Sequence, residues 1–159
     1  MIRSVTLVYS VLLLLVYAGP ALLTLSPVTY HATTAAHFVT FLASVVLFVL
    51  LGKHLKARRR RRARHGFVVG LAVAWLGTGI AEYIRRLPLA QQVFIQELPG
   101  VPRAAALTML HLHAVTGAVL SALLYGALYA LLGAFAAWWG GRDRLESTPT
   151  PPDSPHPVT

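Results

Sequence analysis

Apolar residues gather in four long stretches of this chain, and short polar stretches separate them. The first covers about residues 4–25, with Pro20 placed to bend it. The second covers about 35–52, the third 67–84 and the fourth 104–139. Each reaches roughly 18 residues, the length at which an apolar helix crosses the ~30 Å hydrocarbon core of a bilayer. The fourth is longer than a bilayer needs, so tilt or a projecting turn must absorb the excess. The start, "MIRSVTLVYSVLLLLVYAGPALLTL", imitates a signal peptide, but its apolar length suits a full span, and we read it as a retained first helix.

The connectors differ from one another. "SPVTYHATT" is a short uncharged turn, and "KHLKARRRRRARHG" is a basic loop. "RRLPLAQQVFIQELPGVPR" is a longer connector with three prolines, and its middle, "QQVFIQEL", predicts a short interfacial helix. After Gly140 the chain turns polar and Pro-rich. Residues 141–159 have nothing to bury and are expected to be a disordered tail, His156 included. The resulting expectation is all-α: an integral membrane up-down-up-down four-helix bundle over residues 1–140, followed by that tail.

Composition agrees with the pattern. Of 159 residues, 56% are hydrophobic and only 12% charged, about half the charge of a soluble domain. The net charge of +9 does not point to nucleic acid, because eight of the fourteen Lys and Arg lie within residues 53–64. Clustering of that kind reads as topology. Positive charge stays on the cytoplasmic side, so the 53–64 loop is expected inside, and four spans then put both termini inside with Arg3, Arg142 and Arg144. The 26–34 turn carries no Lys or Arg and is expected outside. Arg85, Arg86 and Arg103 in the third connector weaken this bias without reversing it, and Trp138 and Trp139 fit an inner aromatic belt. The expected location is a bacterial cytoplasmic membrane.

The chain has no cysteine, which excludes disulfides, iron–sulfur clusters, thiolate metal sites and covalent haem attachment. It shows no Ser/His/Asp set and no HExxH, and no charged group falls deep in a span to offer an ion path. No activity as an enzyme on its own is expected. Small residues recur in the fourth span as Ala122, Gly126, Ala130 and Ala134, and as Gly126, Gly133 and Gly140. The third span adds Gly70, Gly77 and Gly79, and such residues let helices approach closely in lipid.

The chain has seven histidines, and with this orientation six of them sort into two layers. His31, His37, His111 and His113 fall at the outer ends of the second and fourth spans, while His54 and His65 flank the basic loop. The second and fourth spans run the same way and are expected as diagonal neighbours, so a ligand in the core could be gripped from both. Imidazoles from two helices are the ligand set of haem b. An outer haem would use His37 with His111 or His113, and an inner one His54 with His65. His37 and His54 are 17 residues apart, about 25 Å along a helix but about 100° apart around it. Both inner histidines also read as interfacial groups in a basic loop. His111 and His113 cannot both face one partner from a helix.

Two further chemistries compete for the outer layer. Met109, His111, His113, His37 and Glu82 offer thioether, imidazole and carboxylate, which suit copper or zinc. Glu82 also stands three and four residues before Arg85 and Arg86, where an ion pair would neutralise it. The same arginines could hold haem propionates or quinone oxygens.

"AAHFVTFLASVVLFVLLGKH", the basic turn, "RHGFVVGLAVAWLGTGI" and "LHLHAVTGAVL" together resemble the small four-helix membrane-bound b-type cytochromes over about residues 31–125. That resemblance implies an electron-transfer subunit of a respiratory or redox complex, with His37, His54, His65, His111 and His113 as candidate ligands of one or two haems b. It implies quinone and other membrane subunits as partners, besides the lipid itself. The fourth span has no histidine at its inner end, where residues 124–130 read "LYGALYA", so a second haem depends on His54 and His65. The chain is also similar to small four-helix proteins of cytochrome-oxidase assembly, which implies a metal-handling role. The remaining reading is a cofactor-free accessory subunit that docks through its small-residue stripe.

Overall fold

The computed structural model describes residues 2–55, 59–112 and 116–140. His113, His156, Lys56 and the tail expected over 141–159 lie outside the described residues. Those residues form seven α-helices and one short 3-10 turn, with no strand among them. The helices are α1 (Ile2–Leu22), α2 (Pro27–Tyr30), α3 (Thr33–His54), α4 (Arg59–Arg85), α5 (Pro88–Gln96), α6 (Arg103–Leu112) and α7 (Ala118–Trp139). Among the described residues, four segments are long and apolar enough to cross a membrane: Ser4–Leu25, Thr33–His54, Arg60–Arg85 and Ala118–Trp139. Helices of that length and apolarity make the chain an integral membrane protein in contact with lipid.

Two boundaries differ from the sequence reading. The arginine run is largely helical, because α4 begins at Arg59 rather than near residue 67. Arginine is a good helix former, so the basic stretch extends the apolar helix that follows it. Residues 104–139 do not form one long helix either. They divide into α6 and α7, and α7 alone, at 22 residues, has the length of a span. Its rise of about 33 Å already covers the hydrocarbon core, which removes any need for tilt to absorb a longer segment.

The connector after α4 is ordered by backbone chemistry. Leu87 adopts the extended conformation that a following proline demands, and Pro88 opens α5 at its first turn. Gly100 has a φ of 87°, which permits the turn between α5 and α6.

The four long helices form a closed square in cross-section. α7 packs most extensively on α4 and also on α3, while α1 packs on both α3 and α4. The second and fourth spans are therefore side by side, where diagonal positions were expected. The diagonal positions fall instead to α3 and α4, which meet only slightly. The cause lies in α7, whose glycines admit two neighbours. A Cβ on Gly133 would strike both the Gly66 carbonyl on α4 and the Phe48 ring on α3. On the third span, Gly70 sits against Tyr129, while Gly79 faces open space and plays no part in the contact.

Leu13, Phe48, Leu51, Leu55, Val69, Val73 and Tyr129 form the core. Large apolar side chains such as Leu15, Val39, Leu76, Leu124 and Leu131 point outward instead. An exposed apolar surface on this scale is what a bilayer covers.

Candidate functional site

Tyr129 divides the bundle. Its ring stacks edge-on against Tyr17 at 5.0 Å, and against Phe41 and Phe48 at 6.3 Å each. Its hydroxyl donates to Ser44 Oγ at 3.4 Å, and Ser44 Oγ donates to the Thr40 carbonyl at 2.8 Å. A hydroxyl in an apolar bundle needs such a partner, since an unpaired one is costly.

Above Tyr129 the four helices enclose a cavity of about 400 Å³. α1 contributes Tyr17 and Ala21, and α3 contributes Thr34, His37, Thr40 and Phe41. α4 contributes Thr78, Ala81, Glu82 and Arg85, and α7 contributes Ser121, Tyr125 and Tyr129. Helical spacing explains the convergence. Thr78, Glu82 and Arg85 stand at i, i+4 and i+7 on α4, and Ser121, Tyr125 and Tyr129 stand at i, i+4 and i+8 on α7.

The charges in the cavity cancel. Arg85 donates to Glu82 Oε1 at 2.8 Å, one turn away on the same helix, with the carboxylate largely buried. Tyr17 and Thr78 share a hydrogen bond of 3.1 Å, and Thr40 donates to the Ala36 carbonyl at 2.8 Å. The side chains of His37, Tyr125, Ser121 and Thr34 make no hydrogen bond among the described residues. The cavity is thus electrically balanced and presents hydroxyl and imidazole groups, each able to donate and to accept, that have no hydrogen-bond partner among the described residues. An uncharged molecule with carbonyl or hydroxyl oxygens matches that surface.

Of the histidines named from sequence, His37 lines this cavity. His111 does not. It lines a separate surface concavity with Leu107, Thr108, Leu112 and Thr116, and its Nδ1 bonds to the Leu107 carbonyl at 2.8 Å. His113 lies outside the described residues. His54 meets Tyr9, with 3.0 Å between Nδ1 and the hydroxyl, and also the Leu50 carbonyl at 2.9 Å. His65 bonds through Nδ1 to the Arg61 carbonyl at 2.7 Å. His31, which is exposed, pairs with Glu97 at 3.2 Å.

A haem held by two imidazoles needs them on opposite sides of one cavity. The cavity supplies one among the described residues, His37. For copper or zinc, Glu82 joins His37 at the cavity, while Met109 is 55% exposed elsewhere. No group of three or more His, Cys, Asp or Glu positioned to hold a metal occurs among the described residues.

The sequence reading passed over Tyr17, Thr78, Ser121, Tyr125 and Tyr129. A signal was present: a tyrosine hydroxyl inside an apolar span calls for a polar partner or a polar cavity, and 121, 125 and 129 share one helix face. No protein-family model matches the chain, and neither a curated protein nor a solved structure is similar to it.

Proposed function

We propose that this protein binds a neutral, carbonyl-bearing redox amphiphile of the quinone class in the cavity above Tyr129, as part of a membrane electron-transfer system. One observation carries this reading: a charge-balanced cavity between four membrane helices, with the hydrogen-bonding side chains of His37, Tyr125 and Ser121 left without a partner among the described residues. Quinone oxygens accept hydrogen bonds from such groups, and the ring fits against Tyr17, Phe41 and Tyr129. A phosphate head is a poorer match, because Glu82 already neutralises Arg85. The test is binding of a tail-less benzoquinone to the purified protein, followed by equilibrium dialysis. Saturable binding that weakens in His37→Ala and Tyr125→Phe supports the reading. Absence of saturable binding to the wild type sinks it.

Haem b is a second reading, favoured by the imidazole geometry. His65 and His111 each bond through Nδ1 to their own helix, which leaves Nε2 as the remaining ring nitrogen. Metal-binding histidines are commonly oriented by such a backbone bond. An outer haem would take His37 with His113 rather than with His111, which lines a different concavity, and an inner one His54 with His65; the group would supply one-electron transfer. Protein purified from haem-replete cells should then show Soret and alpha bands in a reduced-minus-oxidised spectrum. A colourless preparation ends this reading without touching the first.

The orientation is part of the same proposal. Ser44 meets Tyr129, Phe48 meets Gly133 and Gly52 meets Ala137, all at the sequence offset of 85 that the first pair has. These three pairs rise together along both helices and support α3 and α7 running the same way; Gly140 meets Val49 at a different offset. Gly66 meets Gly133 and Gly70 meets Tyr129, which supports α4 running oppositely. With the basic segment inside, the helices alternate, both termini are cytoplasmic and the cavity opens toward the outer leaflet.

A further inference from the structure

A second cavity, of about 330 Å³, adjoins the first. Thr34 and Arg85 line both, so these two side chains form the shared wall. The chemistry changes across it. The far side is built from Tyr30, Ala90, Phe94 and Leu110, contributed by α2, α5 and α6. Both threonine hydroxyls on this side are spent on backbone: Thr24 donates to the Ala21 carbonyl and Thr33 to the Tyr30 carbonyl, both at 2.6 Å. What remains is a largely apolar chamber beside a polar one. Each alone is near the small end of the ~300–1,000 Å³ range of ligand pockets.

We propose that the two cavities are one bipartite site for an amphiphile. The polar head sits above Tyr129 against His37 and Tyr125. The apolar tail passes between Thr34 and Arg85 and lies under α5 and α6, against Phe94 and Leu110. This rests on the first cavity being the head site. It adds that the tail is held by the protein rather than by bulk lipid. It also gives the connector of α5 and α6 a role beyond joining spans. The ligand class narrows to molecules with an uncharged head and an unbranched or isoprenoid chain attached to it.

The experiment uses the full chain in detergent and two probes: a tail-less dimethoxy-methyl benzoquinone and the same head with a ten-carbon tail. Both are measured on wild type, His37→Ala and Leu110→Trp, which fills the second cavity. Micelle partition of each probe is common to all three proteins, so differences between proteins report the site. The expected result has the tailed probe binding wild type at least tenfold tighter than the tail-less one. Leu110→Trp should abolish that advantage and leave the tail-less probe unchanged. A photoreactive group at the tail end should label residues 88–112 of the wild type, which decides the matter if Leu110→Trp does not fold. Labelling of lipid-facing residues such as Leu15 or Leu131 instead, or an unchanged tail advantage in Leu110→Trp, overturns the proposal. If the tail-less probe binds and responds to His37→Ala in that case, the head-site reading stands by itself. If it binds neither wild type nor variant, the head-site reading falls and the bipartite site with it.

Discussion

Near the basic segment, α4 and α7 meet backbone to backbone: Gly66 lies on the Gly133 carbonyl and Gly70 on the Tyr129 carbonyl. Toward the other end the same two helices present Thr78, Glu82, Ser121 and Tyr125, and a cavity separates them. The contrast is one of side-chain size at a helix crossing. Where a glycine meets the partner's backbone, dispersion contact is made along the backbone itself, and van der Waals packing of this kind drives helix association in lipid. Where polar side chains take those positions, they hold the helices apart and line the space between them. Tyr129 stands at the change, belonging both to the core and to the cavity lining. The tight end fixes the helices so that the open end can keep its shape.

The largest effect should come from filling the tight end. Gly133→Leu pushes a side chain into the Gly66 backbone and the Phe48 ring, and the backbone cannot move aside. We expect a loss of about 3 kcal/mol or more, seen as reduced folded yield and melting temperature. Gly79→Leu, with nothing within 4 Å, should leave both unchanged. Equal effects of the two would dissolve the contrast.

At the open end, Glu82→Gln leaves the Arg85 cation without its carboxylate. Affinity for an anionic amphiphile such as decanoate should rise about tenfold, ~1.4 kcal/mol, while that for the tail-less quinone falls. Unchanged selectivity would show that charge balance does not define the cavity. His37→Ala removes one donor from the cavity wall and should weaken tail-less quinone binding by about 1 kcal/mol, with the melting temperature unaffected. The smallest effect belongs to the divide itself. Tyr129→Phe deletes a single long hydrogen bond to Ser44, and about 0.6 kcal/mol of stability is expected to go with it. Quinone affinity measured on that variant should stay within twofold of wild type.

The four spans were legible because apolar length is a local property, and a bilayer demands it of each helix separately. A helix in the third connector was legible too, although it spans Pro88–Gln96 and starts three residues before the "QQVFIQEL" stretch. The site was legible only in part. His37 and Glu82 were picked out as titratable groups at helix ends, and the Arg85 pairing follows from i, i+3 spacing on one helix. The tyrosines were not, because a tyrosine in an apolar span is ordinary until its neighbours are known. Two of the cavity's Tyr hydroxyls find partners far along the chain, Thr78 for Tyr17 and Ser44 for Tyr129, and no local pattern announces such pairs.

Sequence by itself determined that this is a helical membrane protein with four spans, since hydrophobic length and the backbone's need for internal hydrogen bonds leave no other solution in lipid. It also marked the glycines that let helices approach. Only the tertiary structure decided which helices are neighbours, placing α3 beside α7 rather than across from it. That choice depends on contacts formed on two faces of α7 at once. It sends His37 to the polar cavity and leaves His111 on a different surface, because a helix's neighbours, not its own pattern, decide what its ends face.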